Sequence, residues 1–280
     1  MRCFCGSSIG CIGRRNAILM FLIELTLKMA MTAALVVVAS VAAERSRPFI
    51  GAMITSLPSA AGAVYIILAL EHSPAFIAAS AVGTVAANAA VAVFAVTYVG
   101  LAQRHGLAAS LGGAIAVWLI CAALLHAVAW TPLSASLLNA VIFSLTIPAA
   151  RKFATEGPRT TKMPITPSDL AWRAATVAVC VAIVTTASHS IGSFASGMFA
   201  VFPIVMASFI IILHPRIGGP AAANVLARVQ LPLLGLWLGF LAVHYLAVPA
   251  GVWWSYAAGL LIVCVWNGLL WLHAAAGRKA

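Results

Sequence analysis

Apolar residues run through this chain in long blocks, which polar or Pro/Gly-containing breaks separate. A helix of about 20 residues crosses a hydrocarbon core of roughly 30 Å, and most of the blocks reach that length. Blocks such as 29–43 and 177–187 are apolar or small on every side, whereas the strands of a membrane barrel would alternate apolar and polar residues. The pattern therefore predicts an all-α, polytopic transmembrane helix bundle. The nine predicted spans are 18–43, 49–70, 75–101, 107–130, 133–150, 169–189, 193–213, 220–247 and 251–274.

The count and orientation of the spans depend on the span at 133–150, which is short and carries several Ser, Thr and Asn residues. Nine spans put Arg104, Arg216 and most other Lys and Arg residues in loops on one side, and leave the loops between spans on the other side without any. The positive-inside rule then predicts a cytoplasmic C-terminus. Eight spans are the alternative, in which Arg104 would face outward.

The chain divides into four parts by composition. Residues 1–19 form a leader that is either disordered or not translated, because Met20 offers a second start. Residues 20–150 form the first transmembrane half, and 169–280 form the second. The intervening segment 151–168 is polar and contains three prolines, which discourage a continuous helix, so it is predicted to be a cytoplasmic linker.

Composition and charge narrow the expected partners. The chain is 64% hydrophobic and 8% charged, against roughly 25% charged in soluble domains. Its formal net charge is +11, but the basic residues lie between apolar blocks, so anionic lipid headgroups are expected rather than nucleic acid. Cys3, Cys5 and Cys11 near the start have no accompanying His, so neither a metal site nor a cofactor is predicted.

An internal repeat is predicted from a shift of 145 positions, which superposes the second half on the first without a gap. Much of the similarity is Ala and Val, but an acid, a base four residues later and a proline thirty beyond that base recur in both halves. Five spans in the first half would make the repeats inverted, and eight spans in total would make them parallel. The superposed pairs are Glu24 with Asp169, Lys28 with Arg173, Phe49 with Phe194, Met53 with Met198, and Pro58 with Pro203.

The repeated stretch resembles the small GlpM-type bacterial inner-membrane proteins. The second copy departs from that pattern, because His189 and Ser190 replace the start of the basic loop. The resemblance covers about two spans in each half, and it implies a fold fragment and a bacterial inner membrane but no substrate. It rests on Lys28, the loop 45–48, 50–52 and 57–58 in the first copy, and on Arg173, 196–197 and 202–203 in the second.

Charged residues within predicted spans are candidates for solute or ion binding, because a charge at mid-bilayer costs at least about 2.5 kcal/mol. Glu24 and Lys28 are four residues apart and share a helix face, so they can pair. Asp169 and Arg173 repeat this spacing. The alternative for both pairs is a location at the headgroup level, where long side chains reach water.

Four further residues complete the predicted binding candidates. Pro58 and Pro203 are predicted to lie mid-helix, where proline frees a backbone carbonyl that either lines a site or marks a simple kink. His214 precedes another proline. Arg228 is either an anion site inside the bundle or a surface residue, if the helix that follows begins at about 229.

No nucleotide-binding loop, zinc-protease motif or hydrolase nucleophile motif is present, so the chain is not predicted to be an enzyme. The sequence therefore favours a secondary transporter or permease for a small solute or ion. The alternative is a non-catalytic accessory or assembly protein that binds another membrane component. The pattern does not indicate an oligomeric state.

Overall fold

The computed structural model describes residues 59–153 and 166–276, together with 23, 26, 27, 29–31 and 34. Within these ranges the regular structure consists of helices, and no strand occurs. The all-α prediction is confirmed for this part of the chain. The main helices are α1 (Ser59–Glu71), α2 (Pro74–Leu101), α3 (Leu107–His126), α4 (Pro132–Arg151), α5 (Pro167–Ala200), α6 (Ile204–Ile217), α7 (Gly219–Ala227), α8 (Gln230–Leu246) and α9 (Val252–Ala276).

Three of these helices begin at clear local signals. Each has a proline in its first turn and a hydroxyl residue as its N-cap, an arrangement that satisfies free backbone N–H groups. Ser73 accepts a hydrogen bond from a first-turn amide of α2. In α4 and α5 the bonds are reciprocal, between Thr131 and Ser134 and between Thr166 and Asp169. The helix starts are therefore encoded locally.

Helix α2 forms the centre of the bundle and is buried along most of its length. It packs against α3, α4, α5, α7 and α8. Its many alanines let other backbones come close, and the approach of α5 is the closest. A Cβ atom on Gly197 would overlap the Ser80 carbonyl, and one on Gly83 would overlap the Phe194 carbonyl. Glycine is therefore required where these two helices cross.

Helices in the second half are interrupted. Helix α5 kinks at Gly192, where φ is 79° and ψ is 175°, and it ends at Ala200. Helix α6 starts anew after Pro203, and α7 and α8 are bent by 40° across a short break. The single span predicted at 193–213 is therefore divided. The mid-helix position predicted for Pro203 is wrong, because it is the N-cap of α6, where its missing N–H costs little.

Five helices among the described residues are long and apolar enough to cross a membrane, and the count is six when the bent pair α7–α8 is taken as one span. The protein is therefore a multi-pass membrane protein. The uncertain span predicted at 133–150 is confirmed as α4. Nine spans are not confirmed, because 18–43 and the first part of 49–70 lie largely outside the described residues. The five single helices are α2, α3, α4, α9 and the Ala174–Ala200 part of α5.

Contacts along α2 define the directions of its neighbours. Gly219 of α7 lies against Ala102 at the C-terminal end of α2, whereas His244 of α8 bonds to the Ala78 carbonyl near the start of α2. Helices α7 and α8 therefore run antiparallel to α2. Asn139 of α4 contacts the Val85 carbonyl, and Thr146 further along α4 contacts Gln230, which bonds to the Ala92 carbonyl. Helix α4 therefore runs in the same direction as α2.

This arrangement gathers charge at one end of the bundle. The end that contains Ala102 also carries Arg104, Arg151, Lys152 and Arg216, and it is called the basic end here. The opposite end carries the α1–α2, α3–α4 and α8–α9 connections. Those connections contain no Lys or Arg.

Candidate functional site

Polar side chains recur on one face of the central helix. Ser80, Thr84 and Asn88 are four residues apart on α2, so they lie in a line along one face. All three are fully buried, at 0% exposure. We call these three residues the α2 polar stripe. The signal that identifies it in the sequence is this spacing within an otherwise apolar span, which a search for charged residues and prolines overlooks.

The middle of the stripe links α2 to α1 and to the part of α5 beyond its kink. The Thr84 hydroxyl donates a 2.7 Å hydrogen bond to the Gly197 carbonyl. Since that bond uses its proton, the Thr84 oxygen accepts from the Tyr65 hydroxyl, which is also 2.7 Å away. One side chain thus holds two neighbouring elements in place.

Asn88, the last residue of the stripe, links α2 to α4 and α8. Asn88 donates from Nδ2 to Asn139 Oδ1 at 3.0 Å and to the Leu233 carbonyl at 3.1 Å. Asn139 in turn donates to the Val85 carbonyl at 2.7 Å. About 6 Å along α2, at ~1.5 Å per residue, Gln230 donates to the Ala92 carbonyl. These bonds fix three helices around the stripe.

Two atoms of the stripe have unused hydrogen-bonding capacity. Ser80 Oγ and Asn88 Oδ1 are buried and have no hydrogen-bond partner among the atoms that the structure describes. A buried polar atom left in this state costs about 1–3 kcal/mol. Both atoms are oxygens, so a solute with N–H or O–H groups, or a small cation, would offset this cost by binding to them.

Three of the predicted binding candidates, Glu24, Lys28 and Pro58, lie outside the described residues. Arg173 lies in α5, one turn after Asp169, but its side chain is also outside the described part. The predicted Asp169–Arg173 pair therefore stays a prediction. The partner that the structure gives to Asp169 is Arg216.

Asp169 and Arg216 form a two-pronged ion pair at the basic end, with N–O distances of 2.9 and 3.0 Å. Asp169 is in the first turn of α5, before its membrane-spanning part, and its side chain is nearly buried. Burial alone would raise the pKa of this carboxyl. Hydrogen bonds from Thr166 and Arg216 and the Arg216 charge outweigh burial, so the pKa lies below its ordinary value.

The other predicted candidates are separate from the stripe. His214, in the last turns of α6, is buried and its Nδ1 lies 2.9 Å from the Tyr98 hydroxyl of α2. Arg228 is exposed at the α7–α8 break, and its Nε lies 3.4 Å from Asn224 Oδ1. Pro203 lies in the α5–α6 connection. The structure does not bring these residues together into one site.

A second cluster of chemically active side chains lies at the opposite end from the basic one. Glu71 is the last residue of α1 and His72 follows it, and His189 comes from α5 just before its kink. One carboxylate oxygen and one nitrogen from each ring all lie within 4.8 Å of one another. These residue types can ligate a metal ion. The sequence did not predict the group, because His189 is more than a hundred residues from the other two.

An apolar groove of about 180 Å³ lies between α1, α8 and α9. Its wall carries almost no polar surface, and the Tyr256 hydroxyl is already used on the Tyr65 carbonyl. The groove therefore suits an acyl chain or another apolar group rather than a polar solute. It is lined by Gly62, Tyr65, Ile66, Gly239, Phe240, Val243, Tyr256, Gly259, Leu260 and Val263.

Comparisons with known protein families, with curated proteins and with solved structures give no match to this chain. The resemblance to GlpM-type proteins therefore stays a prediction.

Proposed function

We propose that this protein is a secondary transporter or permease for a small solute or ion, with its binding site at the α2 polar stripe. The observation that carries the proposal is the combination of interrupted helices with buried oxygens that lack partners. Transporters commonly bind solute near mid-membrane, between helices that are broken there. Here α5 after its kink and the bent α7–α8 pair both contact α2 along the stripe.

The stripe lies at a suitable depth for this role. Asn88 is near the middle of α2, which extends from Pro74 to Leu101. At ~1.5 Å per residue, each end of the helix is about 20 Å away. Interrupted backbone at such a depth is tolerated only where protein or a solvated cavity covers it. Residues 193–203 cover Ser80 and Thr84, so movement of this segment away from α2 would expose both side chains.

An inverted internal repeat is part of the proposal, and the helix boundaries support it. The shift of 145 positions found in the sequence also relates the starts of three helix pairs. Helices α2 and α8 also end 145 residues apart, at Leu101 and Leu246. The related starts are Ser59 and Ile204 for α1 and α6, Pro74 and Gly219 for α2 and α7, and Leu107 and Val252 for α3 and α9.

The contact between α2 and α8 supports the same arrangement. Asn88 bonds to the carbonyl of Leu233, which is its own equivalent under the shift. The two helices run antiparallel, so a two-fold axis in the membrane plane would pass through this contact. Inverted repeats related by such an axis are frequent among secondary transporters, and their solute sites lie between the repeats.

Orientation and location follow from charge. Four basic residues lie at one end of the described bundle, and the connections at the other end carry none. We propose that the basic end faces the cytoplasm, because Lys and Arg concentrate on that side of membrane proteins. The resemblance to GlpM-type proteins favours a bacterial inner membrane.

Alternating access is tested by thiol labelling of the stripe. In a chain whose six native cysteines are replaced, Ser80→Cys and Asn88→Cys are introduced one at a time. Both positions are expected to react with a membrane-impermeant reagent from each side, in right-side-out and in inverted vesicles, because each conformation opens one pathway. Ala86→Cys is the matched control, since it is equally buried but lies on the other face of α2.

The control position is expected to stay unlabelled from both sides. If Ser80→Cys and Asn88→Cys are as unreactive as Ala86→Cys in both vesicle types, the bundle does not open at the stripe and the transporter proposal fails. Flux of solutes in proteoliposomes, with Asn88→Leu as the inactive variant, then identifies the substrate class.

The alternative is an accessory protein that binds another membrane component, and the exposed Arg228 favours it. Gly219 lies at the basic end, so Arg228 is about 13 Å further along α7 at ~1.5 Å per residue. An exposed guanidinium at that depth suits an anionic lipid or a partner helix. Two results together would favour this function. One protein should co-purify stoichiometrically with the wild type and be lost from Arg228→Leu, and Ser80→Cys and Asn88→Cys should stay unlabelled by the thiol reagent.

A further inference from the structure

Glu71, His72 and His189 meet at the end of the bundle opposite to the basic one. Glu71 Oε2 lies 3.8 Å from His189 Nε2, and the rings of His72 and His189 are 4.5 Å apart between centroids. One ligand atom from each residue lies within 4.8 Å of the other two. Ligands around Zn²⁺ are about 3.3 Å apart at metal–ligand distances of about 2.0–2.1 Å. Side-chain shifts on the order of 1 Å would therefore complete the coordination.

A neighbouring serine sets the protonation of one ring. Ser188 Oγ donates to the Thr185 carbonyl at 2.6 Å, so its oxygen accepts the bond from His72 Nε2, 2.9 Å away. The neutral His72 ring then carries its proton on Nε2 and its lone pair on Nδ1. Metal-bound imidazoles are held by the same kind of outer hydrogen bond, which fixes the tautomer and the ring plane. His72 also stacks on Phe76, at 3.8 Å between centroids.

We propose that Glu71, His72 and His189 bind a divalent transition-metal ion, and that Zn²⁺ is the best match. Two imidazoles and one carboxylate form the donor set of zinc sites that keep a fourth position for water or an exchanging ligand. Magnesium and calcium prefer oxygen ligands alone. This inference does not rest on the proposed transport function, since the cluster lies about 20 Å along α2 from Asn88 at ~1.5 Å per residue.

The location of the cluster makes it accessible to ions from solution and lets a bound ion restrain α5. His72 belongs to the short α1–α2 connection, so the cluster lies at the membrane surface, and the His189 side chain is 63% exposed. The ion would tie the end of α1 to α5, three residues before the kink at Gly192. Binding should therefore restrain the part of α5 beyond that kink.

Binding is measured on the full-length protein in detergent, with an affinity tag that contains no histidine. Cys3, Cys5 and Cys11 are replaced by Ser, because thiolates in the leader could bind zinc independently. Titration of Zn²⁺ against a fluorescent zinc indicator is expected to give one equivalent per chain. Co²⁺ is expected to give the visible absorption bands of a four-coordinate site.

Three variants test the ligands: Glu71→Gln, His72→Ala and His189→Ala. Each is expected to weaken Zn²⁺ binding at least tenfold, and Ser188→Ala about tenfold through the tautomer of His72. The His189→Ala variant is the decisive one, because this exposed side chain can be removed without disturbing packing.

His126→Ala is the matched control, because His126 is exposed at the same end, on α3. It should retain the wild-type affinity for Zn²⁺. The proposal is overturned if the leader-substituted protein binds less than one equivalent. It is equally overturned if His189→Ala and Glu71→Gln, eluting as the same monodisperse species as the parent, bind Zn²⁺ as tightly as His126→Ala does.

Discussion

At the scale of single residues, the ion pair of Asp169 and Arg216 is the strongest charged contact between described side chains. The nearest base in sequence to Asp169 is Arg173, four residues on, and sequence spacing therefore favours that pair. Arg216 is 47 residues away and reaches Asp169 only because α6 returns to the basic end. Contacts made by such a return are tertiary, and local spacing cannot predict them.

Replacing this carboxylate should destabilise the basic end. Asp169→Asn loses the charge of the two-pronged pair and one of the two oxygens that accept from Arg216 and the Thr166 amide, and it is expected to cost about 2 kcal/mol. Thermal unfolding in detergent, followed by tryptophan fluorescence, measures the loss. Arg151→Gln is the control, because Arg151 is exposed at the same end, and it should change stability by less than about 0.5 kcal/mol. Equal losses in the two variants would contradict the assignment.

The same pair has a defined pH dependence. Its folded-state pKa is lowered, so the stabilisation is fully present above the unfolded value of about 3.9 and is lost as pH falls through the folded value. The difference in stability between wild type and Asp169→Asn should be constant from about pH 8 to 5 and shrink below about pH 4. Unfolding measured across this range checks it, and a difference that shrinks near pH 6 would point to another group.

At the scale of elements, the crossing of α2 and α5 makes a sharp packing prediction. Gly197→Ala would push a methyl group into the Ser80 carbonyl, and backbone cannot move aside cheaply. The variant is expected to lose about 1–3 kcal/mol or to misassemble. Gly100→Ala on α2 is the control, because no atom lies within 4 Å of the added methyl. It should be neutral or gain up to about 1 kcal/mol from helix propensity, and denaturation in detergent compares the two.

The kink in α5 depends on one glycine in the same way. Gly192 has φ 79° and ψ 175°, a region that only glycine occupies readily. Gly192→Ala is expected to cost about 1–3 kcal/mol, or to straighten the helix and detach 193–200 from α2. Reduced protection of 193–200 in hydrogen exchange, with unchanged protection of α3, is the expected result. Unchanged hydrogen exchange throughout would show that Gly192 is not needed to hold 193–200 against α2.

Most helices could be predicted from apolar block length, but their interruptions could not. The predicted span 75–101 differs from α2 by one residue at its start, and 133–150 differs from α4 by one at each end. These boundaries are set locally by caps and prolines. The division of 193–213 is different, because its first part packs against α2 whereas α6 packs against α5, α7 and α3. The apolar sequence alone does not specify these partners.

At the scale of the whole molecule, the two ends of the bundle should face different compartments. Val128→Cys lies in the α3–α4 connection at 53% exposure, and His105→Cys lies in the exposed α2–α3 connection at the basic end. In intact cells, an impermeant thiol reagent should label the cysteine at 128 and should label the cysteine at 105 only after permeabilisation. The reverse pattern would invert the proposed orientation.

The sequence indicates the class of protein and much of its layout, but none of the predicted binding candidates that the structure describes belongs to the α2 polar stripe. Lipid as the solvent follows directly from composition, and the orientation that we propose rests on the distribution of Lys and Arg. The α2 polar stripe and the Glu71 cluster depend on which helix faces meet. Those faces are selected by helix packing, which a nearly uniform run of Ala and Val does not specify.

The contacts of Asn88 have a consequence for biogenesis. Its partners, Asn139 and the Leu233 carbonyl, are synthesised 51 and 145 residues later. Until the ribosome completes the second half, the Asn88 amide lies in the membrane or in the insertion machinery without its bond to the Leu233 carbonyl. A nascent chain that stops after α4 should therefore be a substrate for membrane quality-control proteases, and co-expressing the missing half as a separate polypeptide should protect it.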